Sequence, residues 1–562
     1  MHDVVVIGSG AGGGTVADVL TRHGVKVTLL EAGGPLNPAR DYKEHKVPTD
    51  YPHRGAGEQA ESYFGRKDFG FWGAPNGYWE MDEEPYTTAP GTDFRWFRSR
   101  IVGGRTNHYG RITLRFADYD FKPASMLDGL GSDWPIRYED VAPYYDKVER
   151  FIGVCGTREG LRTAPDGEFL PAPALRVHEH LVQRACGRLN IPCIPSRMAI
   201  LTKALNGRPA CHYCGQCGRG CVTASNYSSS QVQIFPALKT GRLTLVTNAM
   251  AREILTGADG RVTAVSYVDK NTREEKQIRC RAVVVAASAC ETARLLLNSK
   301  SPRHPQGLAN ASGVVGRYLT DTAGYSLRGS IPALEGMMKH DTDGYSGGHV
   351  YVPWWLLEDR KRDFPRGYHI EIGGGYGMPQ VGSFHGVCRE HEGYGAGLRK
   401  AILEQYGCTV GFAGRGEMIP NGQSYCEIDP NVVDRWGIPV LRFHFQWSEH
   451  ERRQVAHMHE TFASIIEAMG GRVLGERRPA NMGSRISRPG EIIHELGTVR
   501  MGSDPRTSAL NGFSQAHDHK NLFVADAAPF VSNPDKNPTL TICALAWRMS
   551  DYLAELMRKG EI

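Results

Sequence analysis

The amino-acid sequence predicts an α/β fold in which a Rossmann-like nucleotide-binding domain is interleaved with a mixed-sheet α+β domain. Three observations predict it. Val4-Val5-Val6-Ile7 is an apolar run that leads directly into Gly8-Ser9-Gly10-Ala11-Gly12-Gly13. Ala282 to Ala287 is a second apolar run, and it feeds a helical pattern through Leu297. Asn521 to Ala528 is a third, close to the C-terminus, and it reads as a buried strand ending in the acidic Asp526. Strands with no polar face belong to parallel sheets covered on both sides, and their wide separation in the chain implies an interleaved domain.

Each element follows in order. Gly8, Gly10 and Gly13 have the spacing G-x-G-x-x-G. The first allows the tight turn, the second lets a pyrophosphate approach the backbone, and the third lets helix and strand pack closely. Thr15 to His23 reads as a short helix whose N-terminus faces the phosphates, and Gly24 ends it. Val25 to Leu30 is the next strand, and Glu31 at its end is placed to accept hydrogen bonds from a ribose. An acid here argues against a ribose 2′-phosphate, which leaves FAD or NAD. A purely structural turn would not need strand, helix, strand and acid in register.

Further along, Ile101 to Tyr109 is a loop pivoting on Gly103 and Gly104, and Tyr138 to Glu149 is an amphipathic helix. Gly241 to Ile254 and Arg261 to Asp269 are strands around a Gly257-Ala258-Asp259-Gly260 turn. Residues 322–480 are rich in glycine and aromatics, including Trp354, Trp355, Tyr368, Tyr376, Trp436, Phe443, Phe445 and Trp447. That composition predicts a mixed sheet roofing the site, where aromatic faces stack on sugar rings or simply fill the sheet's core. The predicted division is 1–320 for the nucleotide domain with a cysteine-rich insertion at about 205–230, 321–480 for the substrate domain, and 481–562 for a return to the first domain.

Composition excludes several classes. With 562 residues and a net charge of +5, no Lys/Arg block marks a nucleic-acid surface. No apolar run is long enough to span a bilayer. The N-terminus shows no basic-plus-apolar leader, so any export is expected to depend on another chain.

Two motifs carry chemistry near the end: Ile493-His494-Glu495-Leu496-Gly497-Thr498, and Asn537-Pro538-Thr539-Leu540-Thr541. They bring an imidazole and a carboxamide 43 positions apart. Neutral imidazole takes up a hydroxyl proton near neutral pH, and an amide fixes the same oxygen without adding charge. In isolation His494 reads as a core histidine; its pairing with the Asn537 segment and a nucleotide site argues for a base.

Of the 13 cysteines, four form the sharpest cluster: Cys211, Cys214, Cys217 and Cys221, in C-x2-C-x2-C-x3-C spacing. The spacing suits an iron–sulfur cluster, either 3Fe-4S or 4Fe-4S. A zinc site with four thiolates is the alternative, although zinc ligands usually come as two separated pairs. Disulfides are a third reading, disfavoured by the strain of such short loops.

These segments in this order resemble the glucose–methanol–choline (GMC) family of flavin oxidoreductases, most clearly at both ends and least through about 325–425. The resemblance implies FAD. Gly8, Gly10, Gly13 and Glu31 would hold its adenosine and pyrophosphate; Gly103, Gly104 and Asn107 would lie along the flavin; Asp526 would meet the pyrophosphate or ribityl chain. His494 would be the catalytic base and Asn537 its partner. His108 stands where some members join flavin covalently through the ring; otherwise the ring packs against the flavin edge. Within the family, the pattern is similar to the large subunits of bacterial glucoside 3-dehydrogenases. That likeness implies oxidation of a secondary alcohol of a sugar or glycoside, with electrons leaving through the cysteine cluster. It also implies a small escort subunit carrying a twin-arginine signal, a cytochrome or other one-electron acceptor, and a periplasmic location; a cytoplasmic enzyme explains the missing leader equally well. An oxygen-using oxidase with a structural zinc loop is the runner-up. A degenerate flavin-binding protein is the reading from another class.

Overall fold

The computed structural model describes residues 2–42, 44–45, 84–337, 344–359, 361–376, 388 and 393–562. Strand β1 (His2–Ile7) sits inside a seven-stranded sheet. On one side it pairs in parallel with β2 (Val27–Leu30), which in turn pairs with Leu243–Val246. On the other side it pairs in parallel with Glu275–Val285, which also carries Leu522–Val524. The antiparallel strands Ala249–Thr256 and Val262–Asp269 complete the sheet. Val4, Val5 and Val6 are fully buried. Burying each such side chain is worth about 1.5–3 kcal/mol, so this apolar run is a main anchor of the domain.

Helix α1 (Ala11–Arg22) begins four residues earlier than the pattern predicts, taking Gly12, Gly13 and Gly14 into its first turn. Glycine is a poor helix former. Tertiary packing overrides that preference here: a Cβ on Gly12 would lie 1.5 Å from the Ala525 carbonyl oxygen, and one on Gly13 1.8 Å from that of Gly8. Only a glycine face lets the helix sit this close to the strand ends. The C-terminal helix (Thr539–Lys559) packs on α1, where Ala546, Met549 and Leu553 share a core with Val16, Ala17 and Leu20. Its N-terminus is thereby carried back beside the glycine turn.

The second sheet has six strands in the order Arg472–Val473, Ala323–Ser330, Thr409–Gly416, Tyr368–Gly374, Val350–Val352, Ile194–Pro195. A separate three-stranded sheet of Thr87–Thr88, Tyr425–Val433 and Pro439–His444 mixes parallel with antiparallel pairing, while all described pairings of the six-stranded sheet are antiparallel. Its last strand, and the helix Val177–Arg188 packed in the same core, come from within 1–320, so elements cross the division drawn at 320. The long helix Glu449–Ala468 covers one face, where Val455, Met458 and Phe462 meet Tyr368, Ile370, Ile372, Val410 and Phe412. Side chains alternate along a strand. His369 and Glu371 therefore point away from that helix, and Arg415 on the adjacent strand does the same.

The aromatic expectation resolves toward the core. Trp354 and Tyr368 are buried in the helix-covered core, and Phe443, Phe445 and Trp447 belong to the large core of the first domain. Trp354 meets Tyr368 at a tilt and Phe445 meets Trp447 edge-on, while Phe443 stacks on Phe94 at 4.4 Å.

Candidate active site

A cavity of about 430 Å³ opens where the two chain ends meet. Gly8, Gly10 and Glu31 line it from the N-terminal side, and His494, Asp526 and Asn537 from the C-terminal side. Its volume falls within the range of small-molecule sites.

The glycine turn fits a nucleotide cofactor. A Cβ on Gly10 would meet nothing within 4 Å, and Gly104 from the middle loop faces it, where an added Cβ would lie 3.7 Å from the Gly10 Cα. Two bare backbone faces thus leave room for a phosphate group at the start of α1. Ser9 ties the walls together: its Oγ accepts the Gly103 N–H at 2.8 Å, and its hydroxyl donates to Glu31. Glu31 also accepts the Gly33 N–H at 2.7 Å, and burial raises its carboxyl above the usual range. At Asp526, one carboxylate oxygen accepts the Ser288 N–H at 3.0 Å and the other the Ala528 N–H at 2.8 Å. Burial pushes Asp526 up to about 6.

Three of the predicted cofactor residues stand behind the cavity wall. Gly13 packs against Gly8, and Gly103 packs against Ser230. Asn107 is fully buried. Its amide nitrogen donates to the carbonyls of Val102 and Gly104 at 3.0 and 2.9 Å, and its oxygen accepts from Tyr42 and Ser230 at 2.9 and 2.7 Å. All its capacity goes into shaping the loop. His108 does line the cavity, with Nε2 3.2 Å from Ser99 Oγ; burial pushes its imidazole down to about 3.

The structure brings His494 and Asn537 together. Asn537 Nδ2 lies 3.4 Å from His494 Nε2, and Thr322 Oγ1 lies 3.0 Å from His494 Nδ1. Asp321 holds the backbone, accepting the His494 N–H at 3.0 Å and the Gly490 N–H at 2.8 Å. Ile493, just before the base, has φ +66°, a region that β-branched residues rarely occupy. Strain of about 1–3 kcal/mol at this point is typical of positions that fix a reactive side chain. Burial, reinforced by the charge of Arg415, pushes His494 down to about 3, while Glu371 acts in the opposite direction. The imidazole is therefore neutral at physiological pH, and with a proton on Nδ1 toward Thr322 its Nε2 lone pair faces Asn537 and the cavity.

Sequence reasoning missed the residues that surround this pair. Glu371 Oε1 accepts from Asn537 Nδ2 at 3.2 Å, and its other oxygen is 2.8 Å from Arg415. His369 Nε2 is 3.4 Å from the same carboxylate. The available signal was a His and a Glu at alternate positions in Tyr368-His369-Ile370-Glu371-Ile372, a strand otherwise apolar. Arg105, in the middle loop, binds Glu495 at 2.8 Å and so ties the flavin loop to the base's own segment.

The cysteine loop lies next to this site. Gly218 lines the same cavity, and a Cβ on Gly220 would strike the Tyr42 ring at 2.2 Å. Tyr42 in turn donates to Asn107. Burial, with the neighbouring sulfurs adding to it, raises Cys211 to about 12 and Cys214 to about 11, and raises Cys217 as well. Among the described residues, however, no three His, Cys, Asp or Glu side chains converge as a metal-ligand set.

With the geometry in place, the comparisons are decisive. Residues 86–323 and 420–546 match GMC oxidoreductase. The chain belongs to the GMC oxidoreductase family. It is 31% identical to 2-methyl-1,2-propanediol dehydrogenase of Mycolicibacterium austroafricanum, over 98% of this chain and 95% of that one. It is 26% identical to the fructose dehydrogenase large subunit of Gluconobacter japonicus, covering 99% and 98%. It is 28% identical to paromamine 6'-oxidase of Streptomyces fradiae, covering 98% and 91%. The protein is thus a GMC flavoenzyme with FAD as the family's cofactor, acting on alcohols or sugars, and the open glycine faces of this cavity suit that cofactor. Among the described residues no helix is long and apolar enough to cross a membrane.

Proposed function

We propose that this GMC oxidoreductase is a dehydrogenase that oxidises a secondary alcohol of a sugar or glycoside, at C3, to a ketone. The observation that carries the reading is the His494–Asn537 pair on the wall of a cavity whose opposite wall is the glycine turn. When bound, FAD supplies the acceptor for the carbinol hydride. The chain's residues do the remainder. His494 Nε2 takes the hydroxyl proton, with Thr322 holding the opposite ring nitrogen. Asn537 positions the reacting oxygen, and Arg105 with Asp321 keeps the base segment in place. Gly8, Gly10, Gly104 and Glu31 hold the cofactor, Asp526 orders the backbone at its edge, and His108 is the candidate for a covalent flavin bond.

A cluster held by Cys211, Cys214, Cys217 and Cys221 belongs to the same reading. The spacing and the loop's seat beside the cavity support it. Kinship with a protein named as a large subunit argues for a small escort subunit; a one-electron acceptor such as a cytochrome and co-export to the periplasm complete the reading. Kinship with an oxidase keeps oxygen as the competing acceptor.

Anaerobic mixing with fructose, methyl glucosides, gluconate and 1,2-diols tests the function. A glycoside or sugar should bleach the flavin band and yield a ketone. If no alcohol in the panel bleaches it, the dehydrogenase reading fails. Rapid reoxidation by air with stoichiometric peroxide would transfer it to the oxidases, and activity confined to the cytosol of native cells would remove the export proposal.

A further inference from the structure

Behind Asn537, which lines the cavity, lies a charged pair that the reaction as described does not use. Glu371 and Arg415 project from adjacent strands of the second sheet on the face opposite its helix, 2.8 Å apart. A carboxylate can only accept hydrogen bonds. The Asn537 nitrogen must therefore face Glu371, 3.2 Å away, and this contact fixes which end of the amide meets the rest of the site. Chemistry, rather than the placement of indistinguishable atoms, settles the orientation. The second amide hydrogen then points toward His494 Nε2 and the oxygen bound there, and the amide oxygen, buried with no protein partner, is left as the acceptor end.

We propose that Glu371 is a positioning residue for the oxidation, orienting the Asn537 amide and placing a fixed negative charge beside the base that becomes cationic when it accepts the substrate's proton. The inference rests on the base assignment of His494 made above. Arg415 and His369 border Glu371, and with Asn537 they outweigh burial and hold its carboxyl below the usual range. The titratable groups that face His494 are Arg415 and His369 from the sheet and Arg105 from the middle loop, each of which disfavours a charged imidazole. Glu371 is the acid among them that favours it, while Asp321 is occupied with the His494 N–H. A base ringed by cations is a poor proton acceptor unless one anion offsets them. As the hydroxyl proton moves to Nε2, Glu371 stabilises the imidazolium without taking the proton itself, a role general to acids that orient a catalytic imidazole.

The test uses the FAD-loaded protein with Glu371→Gln, Asn537→Ala, the double variant, and His494→Ala as reference, mixed anaerobically with the alcohol that reduces the wild type best. Glu371→Gln should lower the limiting rate of flavin reduction about 10- to 100-fold while substrate dissociation changes less than about threefold, because positioning acts on the transition state. The double variant should be little slower than the slower single, since the two residues act as a unit. A second measurement needs no substrate: in asparagine-labelled protein, the Asn537 side-chain amide protons should lose the downfield displacement of a carboxylate-bound N–H in Glu371→Gln. Should that variant not fold, Glu371→Asp carries the same measurements, keeping the charge while pulling it away from Asn537. An unchanged limiting rate, strictly additive losses, or an unmoved amide signal would overturn the proposal. If Glu371→Gln is silent while His494→Ala is slow, this inference alone falls; if His494→Ala is also silent, the base assignment has failed.

Discussion

The glycine turn at the start of the chain lines the cavity, and the roof strand Tyr368–Gly374 reaches it through Asn537, yet they are built on different terms. The turn is local in sequence: strand, turn, helix and Glu31 lie within about thirty residues, although the Ala525 carbonyl closes over Gly12 from the far end of the chain. The roof strand depends on partners it meets only after folding, among them Arg415 across the sheet and Asn537 from the far end of the chain. The difference teaches where rigidity comes from. In the turn it is steric and belongs to the backbone; at the roof it is electrostatic and belongs to side chains.

The sharpest break should come at Gly12. A methyl there collides with the Ala525 carbonyl at 1.5 Å, backbone against backbone, with nothing flexible to yield. Gly12→Ala should lose FAD and most soluble protein. Gly10→Ala, facing open space, should fold normally and only weaken cofactor binding. Flavin content and melting temperature of the two variants check this contrast; equal behaviour would mean that the helix can move off the strand.

Legibility follows the same divide. Gly8, Glu31, His494 and Asn537 were readable because motif spacing encodes local geometry, and the apolar runs at Val4, Val283 and Phe523 were readable as one sheet. Gly12 was hidden as a free position of the motif, since nothing in the sequence says which carbonyl will lie over it. Asn107 was legible as important but not as structural, because its partners Tyr42 and Ser230 are remote. Glu371 left a trace only in its alternation with His369 along an apolar strand, and Arg415 and Thr322 left none: a polar group on a strand gives no sign of its partner until the sheet's register is known.

On the reactive side, His494→Ala should slow flavin reduction by about 10²- to 10⁴-fold with FAD still bound, the usual worth of a positioned base. Stopped-flow reduction by the best alcohol measures it, and a rate near wild type would dismiss the histidine. Thr322→Val removes only the partner of Nδ1. Losing one hydrogen bond of about 1 kcal/mol predicts a loss of roughly fivefold. A larger loss would show that the tautomer, rather than the ring's position, is what Thr322 secures.

Asp321 gives the comparison a pH axis. Burial, then the charge of Glu495, pushes its carboxyl up to about 7 in the folded protein. A folded value above the unfolded value of about 3.9 means stability that is full at low pH and is lost as pH rises through the window up to about 7. The melting temperature should accordingly fall between pH 5 and 7, and Asp321→Asn should flatten that slope. Carboxylates held low, such as Glu371, act at more acid pH and leave this window alone. A slope unchanged in the variant would assign the effect to other buried acids, such as Asp526.

The smallest effect on the flavin site should come from the cysteine loop, although it touches the same cavity. Gly218 and Gly220 approach the flavin loop through Tyr42, so the loop can influence electrons leaving the site while His494 and Asn537 stand on other segments. Burial and the neighbouring sulfurs disfavour the thiolates of Cys211 and Cys214, a cost that cationic irons would offset. Cys214→Ser should leave anaerobic reduction by substrate within about twofold, remove iron and labile sulfide, and sharply reduce transfer to a one-electron dye, since Ser offers a poorer ligand to soft metals. Iron and sulfide analysis of anaerobically purified wild type and variant decides it. Zinc in place of iron in the wild type would make the loop a structural clasp, and a flavin reduction rate that falls with Cys214 would mean that the loop shapes the cavity itself.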